Sequence, residues 1–130
     1  GGLMQLISLV TTAPIIPDLP TQVAIVDTIK LDLDKKLSPN ANIAVLASDD
    51  HDVQAVKYRE ILLGRDNISF DSRDEYFHSD HLYVISTADE VTVRQDAAPE
   101  MHNFQKGILI DTFPIAKTNW FVYHFSKPQP

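Results

Sequence analysis

The feature that most constrains the fold is a short, unbroken apolar run, Asn42 to Ala47 (NIAVLA), between a helical pattern and a polar loop. A half-exposed strand alternates apolar and polar residues, whereas a strand buried on both faces reads as a continuous run. Such a strand needs cover on both sides, and the flanking segments offer helices. Upstream, Val23, Val26, Ile29, Leu33 and Leu37 recur at three- and four-residue steps behind Thr21, a candidate N-cap, and Ser38-Pro39-Asn40 ends the pattern. Downstream, Val53, Val56, Leu62 and Leu63 form a second helical face closed by Gly64.

Further elements come in order along the chain. Asn67 to Phe70 reads as a strand, Ser72 and Glu75 as a capping box, and His81 to Ser86 (HLYVIS) as a third strand. Thr87 and Glu90 repeat the capping-box spacing, although Val91-Thr92-Val93 favours a strand. A helix is expected from Pro99 to Gly107, then strands at Ile108–Phe113 and Trp120–Phe125 joined as an antiparallel hairpin. Strands alternating with helices predict an α/β fold: a three-layer, Rossmann-like sandwich on a mainly parallel sheet, closed by the C-terminal hairpin. Ile43–Ala47, Ile68–Phe70 and Leu82–Ile85 are expected to pair in parallel.

The chain has 130 residues, the size of one domain with one core. Residues 1–20 read as a lead. Gly1-Gly2 looks like a cloning remnant, Leu3 to Val10 is apolar but too short to span a bilayer, and Pro14, Pro17 and Pro20 stiffen the backbone between that segment and the first helix. The domain proper is expected at 21–127, with 128–130 a tail.

Charge and composition exclude several function classes. The net charge is −7 and the 11 basic residues are scattered, so no stripe exists to grip a phosphate backbone; nucleic-acid and anionic-lipid partners are not expected. Without cysteine the chain can have no disulfide, thiolate metal site or thiol nucleophile.

In an open α/β sheet, ligands bind beyond the carboxyl ends of the strands. The loop there is Ser48-Asp49-Asp50-His51-Asp52. It has no glycine to let the backbone wrap a phosphate, and three aspartates repel one. Its oxygens, with His78 and His81, form a carboxylate–imidazole set of the kind that binds divalent metals. The same aspartates serve equally as helix caps, and on a strand His78 and His81 point to opposite faces. Ser48, Asp49, Asp50, His51, His78 and His81 are thus the ligand-binding candidates, with no tight metal site, no cofactor and no catalytic residue expected. Ser48 lacks the Gly-x-Ser-x-Gly surroundings of an activated serine. His102 and His124 read as surface or satisfied residues, and Trp120, Phe121, Tyr123 and Phe125 as packing.

Four stretches, Asn42–Leu62, Asp80–Ser86 (DHLYVIS), Pro99–Phe104 (PEMHNF) and Asn119–Lys127 (NWFVYHFSK), together resemble the soluble C-terminal domain of bacterial membrane glycosyltransferases of the protein O-mannosyltransferase-like type. The resemblance covers residues 20 to 127. It implies that catalysis, with a polyprenyl-phosphate sugar donor, belongs to a membrane-embedded part of the same polypeptide. This chain would then be a non-catalytic accessory domain on the extracytoplasmic face, positioning an acceptor or covering the active-site mouth, with a small molecule or glycan as ligand. The competing expectation is a stand-alone cytoplasmic α/β protein, either a small-ligand binder or a metal-assisted hydrolase using Asp49, Asp50 and His51.

Overall fold

A computed structural model describes residues 16–38, 41–47 and 79–128. Helix α1 spans Leu19–Lys36 and strand β1 Ile43–Ala47. Strand β2 is His81–Ser86, followed by the short helix α2 (Glu90–Arg94) and a single 3₁₀ turn at Pro99–Met101. Strands β3 (Ile108–Pro114) and β4 (Phe121–Ser126) complete a four-stranded sheet of order β1-β2-β4-β3. No helix among the described residues is long and apolar enough to cross a membrane.

The expected mainly parallel, Rossmann-like sheet is not what forms. β1 and β2 pair in parallel, but β2–β4 and β4–β3 are antiparallel, so the sheet is mixed. The second strand of the hairpin, not the first, lies against β2. The reason is in the side chains. β4 (FVYHFS) is buried along Val122–Phe125 and suits an interior position, while β3 (ILIDTFP) has no fully buried residue and carries Pro114. A strand with a proline and exposed positions belongs at an edge. The expected strand at Asn67–Phe70 and the helix from Val53 to Leu63 lie outside the described residues.

Alternation divides the core cleanly. Ile43, Val45 and Ala47 of β1, Tyr83 and Ile85 of β2 and Val122 of β4 meet Ile25, Val26, Ile29 and Leu33 of α1. Their neighbours Ala44, Leu46, Leu82, Val84, Tyr123 and Phe125 face the other way, onto Val93, Ala98, Met101 and Phe104. Trp120, Tyr123 and Phe125 are packing residues, as expected. The periodicity of α1 is helical, but its buried stripe differs from the expected one. Val23 is 53% exposed, and Ile25 takes its place in the core. The helix also begins earlier: Asp18, not Thr21, is the N-cap, its Oδ1 accepting from the Thr21 N–H at 2.9 Å, with Pro20 in the first turn. Likewise Asp89, not Thr87, caps α2, accepting from the Thr92 N–H. The segment after Pro99 makes one 3₁₀ turn and a series of turns rather than a helix to Gly107.

One irregularity sets the geometry of the edge. Leu109 pairs with Phe125 and Asp111 with His124, so Ile110 is an extra residue, a β-bulge. In a regular strand Leu109 and Asp111 would share a face. Across the bulge Leu109 joins the Phe125 side while Phe113 packs on the α1 side. Arg94 seals the corner before β3, donating to the Gln105 and Gly107 carbonyls and lying 4.9 Å from the centroid of the Phe125 ring.

Two substitutions test this packing. Val45→Asp buries an unpaired carboxylate where 1% of the native residue is exposed and should unfold the domain, read as loss of the cooperative melting transition. At Gly107 a Cβ would sit 2.3 Å from the Ser126 carbonyl oxygen, part of the backbone. Gly107→Ala should therefore cost about 1–3 kcal/mol in denaturant unfolding through overpacking.

Candidate functional site

The stripe that α1 turns to the sheet contains one residue that does not belong in an apolar core. Asp32 follows Ile25 and Ile29 at helical steps and is 4% exposed. An isolated carboxylate there would be strongly unfavourable. Three side chains from three elements compensate it. Tyr83 on β2 donates its hydroxyl to Oδ2 at 2.6 Å. Lys36, one turn along α1, places Nζ 2.6 Å from Oδ1. His124 on β4 brings Nδ1 to 2.7 Å from Oδ2. The Nδ1–H of His124 is not aimed along a hydrogen-bond line to that oxygen, which Tyr83 already occupies, so this last contact is mainly electrostatic.

The cluster extends in two directions. Lys36 also reaches Asp111 Oδ2 at 2.7 Å and lies 4.9 Å from the Phe113 ring centroid, contacts that the bulge makes possible. On the other side, His124 Nε2 is 2.9 Å from Nδ1 of His81 at the start of β2. Tyr83 and His124 are directly paired across β2 and β4, and their rings stack at 4.5 Å. The result is a chain from a sealed carboxylate through a fully buried imidazole to a half-buried one.

Burial dominates the electrostatics. It pushes His124 down to about 4, against the opposing pull of Asp32. His81 is lowered as well, again by burial first, with Asp80 and Asp32 opposing. For Lys36, burial works to lower the value, but the hydrogen bonds to Asp111 and Asp32 outweigh it and hold it above the usual lysine range. Asp111 is lowered, chiefly by its hydrogen bond to Lys36. At neutral pH the centre therefore holds neutral histidines and a charged lysine.

Of the ligand-binding residues expected from the sequence, only His81 is described; Ser48, Asp49, Asp50, His51 and His78 lie outside the described residues. His81 pairs with Ile43 at the start of β1, whereas Ala47, which precedes Ser48, pairs with Ile85. His81 thus sits about 13 Å along the sheet from the end at which Ser48 follows. Its partner is His124, which the sequence marks only as a surface or satisfied residue. Sequence reasoning misses Asp32 altogether. The available signals are an aspartate in phase with Ile25 and Ile29, and a histidine inside an otherwise apolar strand.

Beyond the carboxyl end of β2 lies an open cleft of about 760 Å³. Asp18 and Thr21 from the start of α1, Thr87 after β2, and Lys117, Asn119 and Trp120 from the β3–β4 connection line it. Ile16, Pro17 and Phe121 also line it, and its walls are polar and apolar in nearly equal measure. No group of three or more His, Cys, Asp or Glu side chains among the described residues is arranged to hold a metal ion. No family model, curated protein or solved structure matches the chain.

Removing the carboxylate should be the most damaging change to the cluster. Asp32→Ala removes the acceptor of the Tyr83 hydroxyl and the anion beside Lys36 and His124 and should cost about 3–5 kcal/mol. Tyr83→Phe removes one donor to a charged acceptor and should cost about 1.5–3 kcal/mol. Urea denaturation of both variants checks the order.

Proposed function

We propose that this chain is a non-catalytic accessory domain of a membrane-bound glycosyltransferase that uses a polyprenyl-phosphate sugar, acting on the extracytoplasmic face to position the acceptor. The family is suggested by the resemblance carried by Asn42–Leu62, Asp80–Ser86, Pro99–Phe104 and Asn119–Lys127. The observation that favours a non-catalytic role is the state of Asp32. A general acid or base must reach a reacting group. The Asp32 carboxylate instead has both oxygens engaged by Lys36, Tyr83 and His124 and is sealed from solvent. Its chemistry is spent on holding α1 to the sheet.

A second reading has the cleft in its favour: a stand-alone α/β protein that binds a small polar ligand beside Trp120 and Asn119. Two measurements separate the readings. Incubated with a polyprenyl-phosphate sugar and a peptide or lipid acceptor, the 130-residue chain should give neither transfer nor donor hydrolysis; turnover by the chain alone would overturn the accessory role. The parent reading frame should carry several apolar membrane spans in the same polypeptide, and a frame without them would leave the small-ligand reading.

A further inference from the structure

We propose that the Asp32–His124–His81 chain is an acid-sensitive latch, fastening the C-terminal half of α1 to the sheet while the histidine pair carries at most one extra proton and releasing it when a second arrives. The geometry dictates where protons can sit. His124 Nδ1 lies 2.7 Å from a carboxylate oxygen, where a bare lone pair would be repelled, so Nδ1 carries the hydrogen. Nε2 of neutral His124 is then an acceptor, and His81 Nδ1, 2.9 Å away, must donate to it. That leaves His81 Nε2 as the bare nitrogen of the half-buried ring.

The first proton therefore enters at His81 Nε2 and disturbs no contact in the chain. The second has only His124 Nε2 to bind, and there it would meet the His81 N–H head on, in a site that is fully buried. Two donors and two like charges cannot share that distance, so the rings must part. His124 packs beneath α1, so parting the rings shifts it from its place against Asp32 and leaves Tyr83 and Lys36 as that carboxylate's remaining partners. The charged and titratable groups facing the pair are Asp32 and Lys36 from α1, the Tyr83 phenol and the preceding Asp80 from the β2 side, and Asp111 from β3. Asp32 favours protonation of His124, whereas His81 and Lys36 oppose it.

In the unfolded chain a histidine takes its proton near 6.5, while folded His124 resists to about 4. The unfolded state thus binds more protons between those values. The contribution of His124 is fully present above the unfolded value and is lost as pH falls toward the folded one. Between about pH 7 and about pH 4.5 the unfolding equilibrium constant should rise by roughly sixtyfold, mostly before ordinary carboxylates titrate.

Hydrogen exchange, corrected for the intrinsic pH dependence of the rate, reads the latch directly. At about pH 5 the amides of Ile29 to Lys36 should lose protection well ahead of those in β2 and β4. Imidazole nitrogen NMR should find His124 as the Nδ1–H tautomer, still neutral at about pH 5.5. Because His124 variants can fail to fold, His81→Asn is the test variant. Its amide can turn an oxygen toward a protonated His124, which removes the donor conflict and the His81 charge while the burial stays, so the loss on acidification should be smaller than in the native chain. The proposal is overturned if His124 titrates near its ordinary value, if α1 and the sheet lose protection together, or if His81→Asn keeps the full acid sensitivity.

Discussion

A single carboxylate inside a helix–sheet interface organises this fold. Asp32 cannot be buried unless compensating groups surround it, and these come from three elements at once: hydrogen bonds from Lys36 on its own helix and Tyr83 on β2, and an electrostatic contact from His124 on β4. Apolar packing between α1 and the sheet is tolerant of rotation, because one aliphatic contact replaces another at small cost. Hydrogen bonds are not tolerant of it. The carboxylate therefore fixes the rotation of α1 about its axis, and with it why Ile25 rather than Val23 is buried. It also favours the β2–β4 register in which Tyr83 stands opposite His124.

Much of this architecture is legible in the residues. The continuous apolar run of β1 announces a doubly covered strand, HLYVIS a second, and the two do pair in parallel. The C-terminal hairpin and its aromatic packing come from the same patterns. The order of strands does not, because periodicity describes which faces are apolar and not which edge a strand seeks. The polarity of ILIDTFP, with its aspartate and proline, is the available sign that β3 lies outermost. The buried cluster is hidden for a different reason. Asp32, Tyr83 and His124 are far apart in the chain and each looks ordinary alone; only the pairing of β2 with β4 under α1 brings them together. The caps fall a few residues from their expected places because Asp18 and Asp89 compete with Thr21 and Thr87 for the same role.

The two ends of the sheet divide the work. At the start of β2 and the end of β4, polar groups are consumed by one another, which suits a scaffold. At the opposite end, an open cleft of mixed polar and apolar lining lies around the start of α1.

The bulge at Ile110 carries a consequence for how this chain can vary. Because side chains alternate along a strand, one added or removed residue inverts everything beyond it. Ile110 is itself such an insertion, and it lets Leu109 serve one side of the sheet while Phe113 serves the other and Asp111 meets Lys36. Length changes in related sequences should therefore accumulate in the connection from Ile115 to Trp120, where they cost a loop. Beyond the bulge, between Asp111 and Phe113, a single deletion would exchange inside for outside along the rest of the edge.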